Sequence, residues 1–218
     1  MPSLIYIADP MCSWCYGFSS ELTALLDGLP GLRLDIVVGG LRAYNTVPMD
    51  DALKSRLQNA WAQVAERTGL SFSTAVLERK DFVYNTEPAC RAVVAARMLA
   101  PAACLAVFEA IQQAFYAEGK DVTQSEALCE IAAGAIAAAG IPMDEQTFLA
   151  TFKSEAAVMA TYHDFEQTKR WKVQGYPTLV LERDGALDLV TSGYVTMREL
   201  VERLQALVDA ESDASASS

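Results

Sequence analysis

Leu4-Ile5-Tyr6-Ile7-Ala8, followed at once by Asp9-Pro10-Met11-Cys12-Ser13-Trp14-Cys15-Tyr16-Gly17-Phe18, decides how this chain is read. The first five residues form an apolar run bounded by Asp-Pro, which predicts a strand over 3–8. Cys15, Phe18, Leu22, Leu25 and Leu26 then recur at helical spacing, which predicts a helix over 13–28. A C-x-x-C between a strand and a helix is the arrangement of a dithiol redox site. The first backbone N–H groups of a helix lack intrahelical partners, and its dipole is positive at that end. A thiolate placed there is stabilised, and thiolate is the nucleophile of disulfide exchange. Cys15, three residues after Cys12, falls on the same helical face and within reach of a disulfide.

Working outward, Leu29-Pro30-Gly31 is a turn, and Leu32, Leu34, Ile36 and Val38 alternate as in a half-buried strand that ends at Gly39-Gly40. From 48 to 172 the pattern is helical. Expected helices span 50–68, with Asp50 as cap, then a stretch from about Thr86 with Pro88 in its first turn, then 102–117. A fourth is opened by the capping box Thr123-Gln124-Ser125-Glu126 and stops at Gly140, and two shorter ones cover 145–152 and 155–171. Strands return at 178–182 and 186–191, joined by a turn at Arg183-Asp184-Gly185. A second capping box, Thr196-Met197-Arg198-Glu199, starts a last helix carrying Leu200, Leu204, Leu207 and Val208. Residues 210–218 are small and polar and are expected to be disordered. The order is β-α-β, a helical block, then β-β-α. It implies an α/β fold with a central mixed sheet flanked by helices, split between 1–47 and 173–209, with an all-helical insertion over 48–172.

Composition narrows the function. The 218 residues are 52% hydrophobic and carry a formal net charge of -11, which argues against nucleic acid and anionic membranes as partners. No apolar run approaches the roughly 20 residues of a membrane-spanning helix, and no secretory signal is recognisable, so a cytoplasmic location is expected. The five cysteines, at 12, 15, 90, 104 and 129, are odd in number and scattered, unlike a disulfide framework. Cys90, Cys104 and Cys129 fall among Ala, Val and Ile and read as small core hydrophobes. A zinc site would need two further ligands, and neither a second C-x-x-C nor an H-x-x-x-H is present. His163, the one histidine, reads as a surface helix residue. Asp9 reads as a turn residue before Pro10, the alternative being a proton acceptor for Cys15. No oligomeric interface is marked.

The second half of the site is Val173-Gln174-Gly175-Tyr176-Pro177-Thr178. A proline at the first residue of a strand is tolerated, and an X-Pro bond adopts cis at modest cost. A C-x-x-C after the first strand and Tyr176-Pro177-Thr178 before the penultimate one resemble the two active-site marks of the thioredoxin fold. With the helical insertion, the chain resembles the DsbA family from about residue 3 to 208. Its Asp-Pro-Met-Cys-Ser-Trp-Cys stretch is similar to the cytoplasmic, protein-disulfide-isomerase-like and FrnE-like branch. The resemblance implies a thioredoxin-like fold and a thiol–disulfide oxidoreductase, with Cys12 as nucleophile and Cys15 as resolving thiol. Pro177 would be cis and packed on the pair, and Tyr176, Pro177, Ser13 and Trp14 would contact substrate. Neither a metal nor a bound organic cofactor is implied, although glutathione is a conceivable co-substrate. The partners would be thiol- or disulfide-containing proteins or small disulfides.

Asn85-Thr86-Glu87-Pro88 with Arg91 resembles a superfamily motif near the active site. The Ser13-Trp14 spacer departs from the better-known members, because no histidine sits beside Cys12. Thiolate stabilisation then rests on the helix end and nearby donors, which implies a weaker oxidant and a resting dithiol suited to reduction or isomerisation. Two other readings remain at this stage. Kappa-class glutathione transferases and hydroxychromene-carboxylate isomerases have a similar architecture, with serine at the position of Cys12. A non-catalytic peptide-binding or chaperone module is the other.

Overall fold

The computed structural model describes residues 2–216. Strand β1, Ser3–Ala8, is buried at all six positions. That fits its continuous apolar run, because a strand covered on both faces needs no alternation. Helix α1, Ser13–Gly28, crosses over to β2, Arg33–Val38, which pairs parallel to β1 with Tyr6 opposite Ile36. Helices α2 (Asp51–Thr68), α3 (Glu87–Leu99), α4 (Cys104–Gln112), α5 (Ser125–Ala138), α6 (Glu145–Phe152) and α7 (Glu155–Arg170) follow. The chain then returns to the sheet with β3, Thr178–Arg183, and β4, Ala186–Ser192. Helix α8, Met197–Ala216, closes the fold.

The sheet order is β2-β1-β3-β4, with β3 antiparallel to both β1 and β4. The hairpin between β3 and β4 turns on Asp184 (φ 52°) and Gly185 (φ 86°), the positive pair that a two-residue turn of this hand requires. The second capping box forms. Glu199 Oε2 accepts from the Thr196 N–H at 2.8 Å and from its hydroxyl at 2.8 Å. Buried side chains of the sheet and of the helices between 48 and 172 belong to one hydrophobic core. Helix α7 lies against β2, where the Asp164 carboxylate accepts from the Val38 N–H and from the Arg97 guanidinium of α3 at 2.9 Å.

Three local expectations change. The box at Thr123-Gln124-Ser125-Glu126 does not form. Asp121 Oδ1 instead takes the Thr123 N–H (3.0 Å) and hydroxyl (2.6 Å), so an aspartate two residues earlier outcompetes the helix end. The helix expected over 102–117 is broken into a 3-10 turn at Pro101–Ala103, α4, and a π-helical turn at Gln113–Ala117. The wider turn lets the adjacent Phe115 and Tyr116 both point inward, against Trp61 and, for Tyr116, Phe72. At the far end, α8 continues through Ala216 where a disordered tail was expected over 210–218, and residues 217 and 218 lie outside the described residues.

Candidate active site

Cys12 occupies the N-cap position of α1 in extended conformation, and its carbonyl accepts the first helical hydrogen bond from the Tyr16 N–H at 3.0 Å. The two cysteines differ in access. Cys12 is 7% exposed and Cys15 is fully enclosed. Both are free thiols. Burial pushes the Cys15 thiol well above its usual value, and the adjacent Cys12 sulfur adds to the rise. Cys12 is therefore the more accessible thiol of the two. Ser13 and Trp14 are half-buried on the outer side of the turn.

The segment expected to oppose the pair does so. The Tyr176–Pro177 bond is cis, Pro177 is buried, and the Cys12 thiol donates to the Tyr176 carbonyl at 3.6 Å. This contact joins residues 164 positions apart. The Tyr176 hydroxyl donates to the Gly39 carbonyl at 2.7 Å, and burial pushes it up to about 12. The Pro177 carbonyl accepts from the Gly193 N–H at 2.7 Å, so the proline loop is held from the ends of both β2 and β4.

Asp9 is more than a turn residue. It does make the turn, with Oδ1 accepting from the Met11 N–H at 2.8 Å. Its other oxygen accepts from the Leu41 N–H at 2.6 Å and from the Cys90 thiol at 3.4 Å. The side chain is fully enclosed, and burial raises its pKa above the ordinary carboxylate value despite these donors. A carboxylate between three chain segments fixes the active-site turn to the loop after β2 and to the start of α3. The motif around Asn85 completes that clamp. Asn85 Oδ1 accepts from the Tyr44 N–H (2.9 Å) and Thr86 Oγ1 from the Arg42 N–H (3.1 Å), while Arg91 pairs with Glu87 at 2.8 Å. From the segment before α3, the Tyr84 hydroxyl donates to the Met11 carbonyl just before Cys12.

Cys90, Cys104 and Cys129 are all buried on helices, and burial raises each thiol, that of Cys104 to about 12. His163 is exposed on α7, with its ring beside Tyr162. Among the described residues, no three His, Cys, Asp or Glu side chains gather as a metal site, and no helix is long and apolar enough to cross a membrane.

Beside Trp14 and Tyr176 opens a cavity of about 710 Å³, lined also by Gly193 and Tyr194 and by Gln63, Glu66 and Arg67 of α2. The Tyr194 ring lies 5.8 Å from that of Trp14, and its hydroxyl donates to Glu21 at 2.9 Å. The sequence reading missed Tyr194 and the α2 residues. They belong to no motif, and only the packing of α2 on α1 brings them here.

The sequence matches the family model described as thioredoxin over residues 5–189. The chain belongs to the thioredoxin family. Its structural neighbours include DsbA-family oxidoreductases. A proposed protein disulfide isomerase from Nitrosomonas europaea is 33% identical, with a TM-score of 0.86 over 96% of this chain and 98% of its own. The cytosolic disulfide reductase DsbM from Pseudomonas aeruginosa is 26% identical, with a TM-score of 0.76 over 96% of this chain and 98% of its own, and it has also been solved with GSH. A 2-hydroxychromene-2-carboxylate isomerase, 17% identical with a TM-score of 0.63 over 99% of this chain and 98% of its own, shares the fold alone. No curated protein sequence matches the chain.

Proposed function

We propose that this chain is a thiol–disulfide oxidoreductase in which Cys12 attacks and Cys15 resolves. The observation that carries the reading is Cys12 at the start of α1, with its sulfur 3.6 Å from the carbonyl that precedes Pro177. An extended substrate segment laid along the Tyr176–Pro177 backbone brings its own sulfur to Cys12, in the manner of strand addition. Ser13, Trp14, Tyr176 and Pro177 form the contact surface. The Cys12 thiolate attacks a substrate disulfide to give a mixed disulfide, and Cys15 then displaces the substrate thiol. The cysteine pair is itself the redox group, so no metal or organic cofactor is called for.

The Ser13-Trp14 spacer places no cation beside the thiolate, which supports a weakly oxidising pair that works in reduction or isomerisation. The cytosolic reductase among its structural relatives supports the same direction and a cytoplasmic location. Cysteine at position 12 speaks against the serine-based glutathione transferase and isomerase reading. Insulin reduction tests the proposal. Wild-type protein should turn over with dithiothreitol, Cys12→Ser should abolish turnover, and Cys15→Ser should accumulate a mixed disulfide through Cys12. Undiminished turnover by Cys12→Ser would overturn it.

A further inference from the structure

Arg67 is the cation of the cavity that opens beside Trp14 and Tyr176. Its guanidinium lies 5.8 Å over the Tyr194 ring. Among the described residues it has no ion pair and no hydrogen bond, and the Glu199 carboxylate, which feels its charge, bonds to Thr196. Glu66, one residue away on the same lining, is also without a cationic partner. The platform beneath Arg67 is fixed, because Tyr194 is held by Glu21, which also accepts from the Met197 N–H at 2.6 Å. An unpaired guanidinium set over an aromatic ring, in a chain of net charge -11, is a local preference for an anion. Planar guanidinium binds carboxylate through two parallel hydrogen bonds. A neighbouring carboxylate suits an ammonium on the same ligand.

From this we infer that the cavity selects a small disulfide or thiol bearing a carboxylate near its sulfur, and that Arg67 is the residue that recognises the carboxylate. The inference rests on the oxidoreductase reading above and names the substrate class for that site. The exchange is balanced. The Cys12 thiolate attacks RS–SR, forming Cys12–S–S–R and releasing RS⁻. The Cys15 thiolate then forms the Cys12–Cys15 disulfide and releases the second RS⁻. Two electrons pass from the dithiol to the substrate, and the two thiol protons end on the two RS⁻ groups.

The test measures the second-order rate of oxidation of the reduced protein by glutathione disulfide and by the uncharged hydroxyethyl disulfide, followed by acid quench and mass spectrometry. Arg67→Gln should slow glutathione disulfide about five- to tenfold, the equivalent of one charge-assisted hydrogen bond on an exposed side chain, and leave hydroxyethyl disulfide within about twofold. Arg67→Lys should recover part of the loss, because charge returns without the fork. Equal slowing with both disulfides would make Arg67 a structural residue and overturn the inference, as would no slowing with either. In both cases wild-type exchange with hydroxyethyl disulfide leaves the oxidoreductase reading standing. Wild-type protein that oxidises with neither disulfide would overturn both.

Discussion

Replacing Asp9 by asparagine tests the claim that a buried carboxylate holds the active-site turn. Asp9 accepts from Met11 N–H at 2.8 Å on one oxygen, and from Leu41 N–H at 2.6 Å and the Cys90 thiol on the other. Asparagine keeps one oxygen and puts an NH2 donor where the second stood. With Met11 still served, the Leu41 N–H faces a donor and is left buried without a partner, which costs about 1–3 kcal/mol. For a urea slope of about 2–3 kcal/mol/M, the midpoint should fall by about 0.3–1.5 M with the slope unchanged. The pH dependence adds a second reading. Because burial raises the folded-state pKa of Asp9, the folded chain holds this proton more tightly than the unfolded chain does. The contribution of Asp9 to stability is then fully present below about pH 4, the unfolded value, and is lost as pH rises through the folded value. Asparagine does not titrate, so its penalty should be largest in acid and shrink toward pH 8. Urea unfolding by circular dichroism, under reductant from pH 4 to 8, measures both. An unchanged midpoint would mean that the three contacts do not hold the turn. A penalty that grows with pH would mean that the N–H donors outweigh burial and that the carboxyl is depressed, not raised.

Three further outcomes are expected. A Cβ on Gly39 would stand 2.2 Å from Tyr176 Cζ, so Gly39→Ala should cost about 1–3 kcal/mol and slow exchange. Because the clash is with the ring, the loss should be strongly non-additive with Tyr176→Ala in a thermodynamic cycle. Native protein under reductant should take up one equivalent of iodoacetamide, mapped by mass spectrometry to Cys12. Unfolded protein should take up five, because Cys15, Cys90, Cys104 and Cys129 are more deeply buried or have thiols raised by burial. Asp164→Ala should cost about 2–4 kcal/mol in urea unfolding. It removes the acceptor of the Val38 N–H and the counter-ion of Arg97, which keeps only the Ile36 carbonyl, with a discount because the Arg97 side chain is 30% exposed.

Much of the frame could be read because its signals are local. The run at 4–8, the periodicity over 13–28 and the Asp-Gly turn at 184–185 each act within a few residues, and each element stands where its pattern places it. Signals failed where two local options compete. Thr123 has the spacing of a capping box, but Asp121 lies closer in sequence and offers a charged acceptor, so the turn captures the hydroxyl before the helix can. The stretch from 102 to 117 reads as one amphipathic helix by period, yet two consecutive aromatics must both be buried, which a regular α-helix does not allow on a narrow face.

The site divides in the same way. Cys12, Cys15, Tyr176 and Pro177 are legible because backbone chemistry at a helix start and a strand start demands those residue types in order along the chain. Asp9, Arg67 and Tyr194 are not, and the reason differs for each. An aspartate before a proline satisfies the local rule for a turn completely, so nothing in the sequence signals that its second oxygen is occupied by Leu41 and Cys90, 32 and 81 residues away. Arg67 looks like any basic residue in the last turn of a helix, where it favours the dipole without further role. Its position over Tyr194 depends on how α2 lies across α1, a packing angle set by side-chain volumes such as Gly17 against Val64. The cysteine pair and the proline opposite it therefore follow from local order along the chain. The lining of the cavity beside them follows from how α2 packs on α1, and it can change by substitution on α2 while the cysteine pair stays the same.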